Sequence, residues 1–146
     1  MAAGSEGIGA PPLSGVLETG LYVDDLGRAR SFYEDVLGLK PMIADARFCA
    51  YGVASGSVLL LFLRGATLEP VRMPDGIIPP HDGHGPLHYA LAIPADSLEK
   101  WAVHLEKRGV AIESRVEWKG GGASLYFRDP DNHLVELATP GLWPNY

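Results

Sequence analysis

Three ionisable residues sit inside runs that otherwise read as apolar strands: Glu18 in residues 16–23, His88 in 87–93 and Glu136 in 134–138. Strand side chains alternate between faces, so Glu18 joins Gly20 and Tyr22 while Leu17, Leu21 and Val23 turn the other way. His88 likewise joins Ala90 and Ala92, opposite Tyr89, Leu91 and Ile93. Glu136 shares a face with Leu134 and Ala138. A carboxylate in such a strand is costly unless it is paired. Small neighbours such as Gly20, Ala90 and Ala92 leave room beside the charged groups, as a cavity requires. Two carboxylates and an imidazole converging on one hollow would repel or shift in pKa unless a cation neutralised them. Three protein ligands to a divalent ion would leave positions open for substrate or water. Each residue alone has a plainer reading: Glu18 in solvent, His88 as a hydrogen-bonded core histidine, Glu136 on an exposed edge strand.

Convergence requires the chain to fold the same way twice, and its patterning repeats. After the first strand, Asp24 or Asp25 can cap a helix carrying Leu26, Ala29, Phe32, Tyr33 and Val36, stopped at Gly38. Strands follow at 48–53 and 57–63, with a short one possible at 41–46. The order returns after residue 87. Asp96 or Ser97 can cap a helix carrying Leu98, Trp101 and Leu105, closed by Gly109, before strands at 110–116, 123–128 and 134–138. The turn at Asp129-Pro130-Asp131-Asn132 joins the last two strands. The pattern predicts an α+β protein of two βαβββ modules, residues 15–63 and 87–140. Residues 1–14, rich in Gly, Pro and Ser, read as a flexible tail. Residues 64–86 read as a Pro- and Gly-rich linker or loop carrying His81 and His84. Residues 141–146 form a tail whose Leu142, Trp143 and Tyr146 could cover a cavity or a partner.

Composition narrows the function classes. A length of 146 residues suits one domain or two small modules sharing a core. The net charge of −6 argues against nucleic acid or an anionic membrane as partner. The single Cys49 excludes an internal disulfide and a cysteine zinc cage, which fits a reducing compartment. No apolar run spans a bilayer and the start lacks signal-peptide features, so a cytoplasmic location is expected. There is no Walker, nucleophile-elbow or dinucleotide motif, and Gly120–Gly122 precedes a strand rather than a helix. Cys49 has no activating neighbour in sequence, and His104 beside Trp101 reads as boundary packing.

Glu18-Thr-Gly-Leu-Tyr-Val-Asp-Asp-Leu, Ser31-Phe-Tyr-Glu-Asp-Val-Leu-Gly-Leu39 and Tyr126-Phe-Arg-Asp-Pro-Asp-Asn-His-Leu-Val-Glu136 resemble the opening and closing segments of the vicinal oxygen chelate superfamily. That superfamily includes glyoxalase I, bleomycin-resistance proteins, fosfomycin-resistance enzymes and extradiol dioxygenases. The resemblance covers about residues 16 to 140. It implies paired βαβββ modules forming a cup-shaped mixed sheet, usually in a homodimer, with metal ligands at Glu18, His88 and Glu136. It also implies a divalent ion (Zn, Ni, Mn or Fe) that chelates neighbouring oxygens of a small-molecule substrate, in lyase, isomerase, transferase or dioxygenase chemistry. Glu136 is then the candidate to shuttle a proton, and Tyr22 and Tyr126 are candidates to touch substrate. Three departures stand out: Glu18 replaces a frequent histidine, Leu60 occupies the place of a glyoxalase carboxylate, and the set is one imidazole short of the dioxygenase pattern. The alternative is a metal-free protein of the bleomycin-resistance kind that sequesters an aromatic or cationic drug.

Overall fold

A computed structural model describes residues 9–146. The first module runs β1 (Glu18–Val23), α1 (Leu26–Ser31), a wider π-helical turn over Phe32–Val36, β2 (Pro41–Ala44), β3 (Phe48–Gly52) and β4 (Val58–Leu63). A hairpin of β5 (Val71–Met73) and β6 (Gly76–Ile78) follows. The second module runs β7 (His88–Ala92), α2 (Leu98–Lys107), β8 (Ser114–Glu117), β9 (Ala123–Arg128) and β10 (Leu134–Ala138). The helices begin and end where local chemistry dictates. Asp25 caps α1 by accepting the Arg28 N–H at 2.9 Å, and Gly38 leaves the helical segment at a φ of +71° that disfavours other residues.

The two modules share one topology. Their sheets run β1-β4-β3-β2 and β7-β10-β9-β8, each with a single parallel pair between its first and last strands. Equivalent hydrogen bonds open both pairs: Val58 N–H donates to the Leu17 carbonyl at 2.9 Å, and Leu134 N–H to the Leu87 carbonyl at 2.8 Å. Glu18 therefore faces Val58 as His88 faces Leu134, and Leu60 holds the place in the first module that Glu136 holds in the second. β10 lies between β7 and β9, and Glu136 is 6% exposed, so the edge-strand reading of that carboxylate fails.

One apolar core joins the modules. Leu21, Val23, Tyr33, Tyr51 and Leu61 from the first pack in one cluster with Tyr89, Leu105, Leu125, Phe127 and Leu137 from the second. On β1, β7 and β10 these side chains alternate with Glu18, His88 and Glu136, so the ionisable trio takes the opposite strand faces. Buried polar groups tie the modules together. Tyr89 donates its hydroxyl to Tyr33 at 3.0 Å, and Tyr33 donates to Asp129 Oδ2 at 2.7 Å. Asp129 Oδ1 accepts the backbone N–H groups of Asp131 and His133 at 3.0 and 2.8 Å. Burial raises the Asp129 carboxyl above its usual range, opposed by the Tyr33 hydrogen bond, and burial likewise raises both phenols. The enclosed His133 accepts the Leu87 N–H at Nδ1 and donates from Nε2 to the Tyr22 carbonyl, each at 2.9 Å, which stitches β7 to β1.

Three boundaries differ from the sequence expectation. The strand expected at 110–116 begins only at Ser114, because Val110 N–H is still bonded to the Leu105 carbonyl at the end of α2. The crossover 64–86 contains the β5–β6 hairpin, turned by Pro74-Asp75-Gly76, a turn signal that its Pro/Gly content concealed. Of the expected tail 1–14, residues 1–8 lie outside the described residues, and 9–14 are exposed with no helix or strand. Among the described residues, no helix is long and apolar enough to cross a membrane.

Asp129→Ala strands the Tyr33 hydroxyl and two backbone N–H groups, so it should cost about 2–4 kcal/mol in urea denaturation. Tyr89→Phe, which removes only the terminal donor, should cost about 1 kcal/mol. Because the folded state raises the Asp129 pKa, this group favours folding below the ordinary aspartate range and loses that contribution as pH rises through the raised value. Asp129→Asn should flatten that part of the stability-against-pH curve.

Candidate functional site

β9, β10 and β7 are neighbours, and they bring Tyr126, Glu136 and His88 onto one face. His88 Nε2 lies 3.3 Å from Glu136 Oε1. The other ring nitrogen, Nδ1, is 3.0 Å from the Leu134 carbonyl oxygen. A carbonyl only accepts, so Nδ1 carries the hydrogen and Nε2 is the nitrogen turned to the carboxylate. In the neutral ring this sets a lone pair against a carboxylate oxygen, an arrangement that calls for a proton or a metal ion between them. A metal-binding histidine is commonly oriented by such a bond to a backbone carbonyl.

Glu136 is fixed from behind. Its Oε2 accepts the Ser124 hydroxyl at 2.6 Å, and Ser124 accepts the Trp118 indole N–H at 2.8 Å. Ser124 is fully buried and the Glu136 side chain nearly so, whereas about half of the His88 side chain is exposed. One carboxylate oxygen is thus tied into the sheet and the other is presented beside the imidazole. Tyr126 stands directly across from Glu136 in the β9–β10 register, its ring 6.3 Å from that of His88. Burial, and then the Glu136 carboxylate, raise its phenol.

These residues line a cavity of about 470 Å³ with a floor of Ala90, Ala92 and Ala138. Trp118, Trp143 and Tyr146 form its walls. The C-terminal tail is anchored there: Tyr146 donates its hydroxyl to the Ala138 carbonyl at 2.8 Å. The turn before β9 approaches the tail so closely that a Cβ at Gly122 would sit 2.5 Å from the Pro140 carbonyl oxygen.

Glu18 lines a second cavity, of about 340 Å³, with Arg47, Phe48, Leu60, Phe62 and His81. The crossover folds over this hollow. His81 N–H donates to the Thr67 carbonyl at 2.9 Å, and Gly65 N–H to Asp82 Oδ1 at 3.0 Å. The His81 ring meets Phe62 edge-on at 4.6 Å and is hydrogen-bonded through Nδ1 to the Tyr22 hydroxyl at 2.7 Å. Tyr22 itself lines neither cavity; a Cβ at Gly83 would strike its ring at 2.6 Å. His84 is exposed.

The profile of the Glyoxalase/Bleomycin resistance protein/Dioxygenase superfamily matches residues 15–137. The chain belongs to this superfamily. It is 31% identical over 117 residues to a glutathione transferase, FosA, of Serratia marcescens, covering 80% of this chain and 74% of that protein. It is 31% identical over 118 residues to a metallothiol transferase, FosB, of Bacillus licheniformis, covering 80% and 70%. Its structure resembles that of a lactoylglutathione lyase from Agrobacterium tumefaciens, with a TM-score of 0.82 and 29% identity over 92% of this chain and 99% of that one.

Within the chain of this superfamily member, His88 and Glu136 meet and Glu18 stands apart, in the other cavity. Among the described residues, no group of three His, Cys, Asp or Glu side chains is disposed to hold a metal ion. The expectation that all three enter one hollow is therefore not met inside one chain. Alternation fixed the face each residue takes, but not the distance between sheets. Sequence reasoning missed Ser124 and Trp118. Ser124 shares a strand face with Tyr126, a signal that was available; Trp118 lies just beyond β8 and had none.

Ser124→Ala should leave Glu136 Oε2 and the Trp118 N–H without partners. The expected cost is about 1–3 kcal/mol in chemical denaturation, with a changed Trp emission spectrum in the folded state.

Proposed function

We propose that the chain acts as a cytoplasmic, homodimeric, metal-dependent enzyme on a small-molecule substrate. In this reading the ion is held by Glu18 of one protomer with His88 and Glu136 of the other. The observation that carries it is the His88–Glu136 pair: Nε2 and Oε1 face each other while Nδ1 and Oε2 are both occupied by the protein. Such a pair fits two ligands of a divalent cation, each oriented by its own hydrogen bond. Since Glu18 lies in a separate cavity of the same chain, a second copy is needed to supply the third ligand. Exposed apolar side chains offer surface for that association: Met42 and Ile43 on β2, Ile77 and Ile78 on β6, and Trp143 in the tail.

Two carboxylates and one imidazole suit manganese or zinc among the ions considered. A bound ion would supply Lewis-acid polarisation to adjoining oxygens of the substrate. The residues of the chain do the remainder. The Leu134 carbonyl fixes the His88 ring, and Ser124 holds Glu136 Oε2 so that Oε1 is presented to the ion and takes or returns a proton only when it leaves the ion. Tyr126 lies where its phenol can contact a substrate beside Glu136, and Tyr22 acts through His81 to hold the crossover. The resemblance to proteins named a glutathione transferase and a metallothiol transferase favours transfer of a thiol to the substrate as the reaction class.

Subunit mixing tests the reading. Glu18→Ala and His88→Ala homodimers should each lose metal, with affinity for Mn²⁺ falling about 100-fold or more. Refolding the two variants together should restore about a quarter of the wild-type sites, because each heterodimer rebuilds one intact set of ligands. No recovery on mixing, with each variant folded and dimeric, would overturn the shared site.

A further inference from the structure

We infer that a third cavity, between the π-helical turn and α2, binds a small elongated dianion of the dicarboxylate class. Its volume is about 550 Å³, within the range of small-molecule sites. Residues 34–38 line it from the first module, and Ser97, Lys100, Trp101, His104 and Arg108 from the second. It shares no lining residue with the cavities of His88 and Glu18. Leu98 and Leu105 of α2 join the shared core, which takes the strand faces opposite the ionisable trio. An occupant therefore meets the junction of the modules and not the proposed metal ligands.

The polar groups of the lining are unequally engaged. Glu34 accepts the Arg30 guanidinium at 2.7 Å and the Tyr51 hydroxyl at 2.9 Å. His104 donates from Nε2 to the Val36 carbonyl at 2.6 Å, closing an orphan acceptor at the end of the π-helical turn. Lys100 and Arg108 are left over. Carboxylates pair with Arg28, Arg30, Arg64, Arg115 and Arg128, yet among the described residues no ion pair reaches Lys100 or Arg108. That is unusual in a chain of net charge −6. Asp35 is the one lining carboxylate without an ion pair, so two cations outweigh it. Lys100 stands in the first turn of α2, where the helix dipole opposes a cation and a ligand anion offsets the cost. Eight residues separate Lys100 from Arg108, a rise of about 12 Å along the helix. A compact anion suits one of them at a time, whereas a molecule with acidic groups at both ends of a short chain gives one to each. The guanidinium receives its carboxylate through two N–H groups, and the ammonium receives the other as a point charge.

Isothermal titration calorimetry on the full chain at low ionic strength tests this with adipate as probe, against hexanoate and inorganic phosphate. Saturable binding of adipate is expected, with both comparators weaker by about tenfold or more. Lys100→Gln and Arg108→Gln should each weaken adipate about fivefold, and Lys100→Arg should retain most of the affinity. Both side chains are exposed, so these variants keep the fold. His88→Ala, which removes a proposed metal ligand, should leave the adipate affinity unchanged. Absence of adipate binding overturns the inference, as does equal binding of hexanoate or phosphate. So does adipate binding that ignores Lys100→Gln and Arg108→Gln, or that disappears with His88→Ala. The shared metal site stands or falls separately, on metal uptake by the mixed variants.

Discussion

Two buried polar side chains that no neighbour in their own hairpin can fully satisfy, Asp129 and His133, determine how the modules meet. Asp129 needs the Tyr33 hydroxyl from the first module, and His133 needs the Tyr22 carbonyl there and the Leu87 amide in the second. Leaving any of these groups unpaired in the interior would cost more than the bond itself contributes. The apolar cores are thereby fused on one side of the sheets. Strand alternation then gives the opposite faces to Glu18, His88 and Glu136, where two hollows remain.

The same economy of hydrogen bonding shapes the hollow beside His88 and Glu136. His88 Nδ1 is tied to a backbone carbonyl and Glu136 Oε2 to a buried hydroxyl, which leaves His88 Nε2 and Glu136 Oε1 facing one another. Removing alternatives concentrates affinity at one point. It also makes the site depend on residues such as Ser124 that have no part in the chemistry but decide which way the carboxylate points.

Much of this was legible in the chain. The alternation around Glu18 and His88, the recurring helix stops at Gly38 and Gly109, and the Asp129–Asn132 turn located the doubled fold, because each is a local rule about faces and backbone angles. The placement of Glu136 in a central strand followed from the same rules only once β7 was known to pair with β10, a long-range fact. Trp118 escaped because it lies past the end of the strand, both as expected at 110–116 and as found at Ser114–Glu117. His133 follows the turn with no local signal; its role depends on the Leu87 amide and the Tyr22 carbonyl, brought together from far along the chain. The separation of Glu18 from the other two is likewise a matter of how sheets are disposed, which no periodicity records.

Leu60 holds the position of Glu136 in the duplicate half, and the difference reaches beyond this pair of residues. The equivalent strand positions carry Glu18 and Leu60 in the first half and His88 and Glu136 in the second, so only the second places two ionisable groups on adjoining strands there. The halves are chemically unequal: the second presents an imidazole against a carboxylate, and the first a carboxylate beside a leucine. A backbone laid down twice can therefore hold two different chemistries at one register position, because strand pairing engages main-chain groups and leaves the side chain unconstrained.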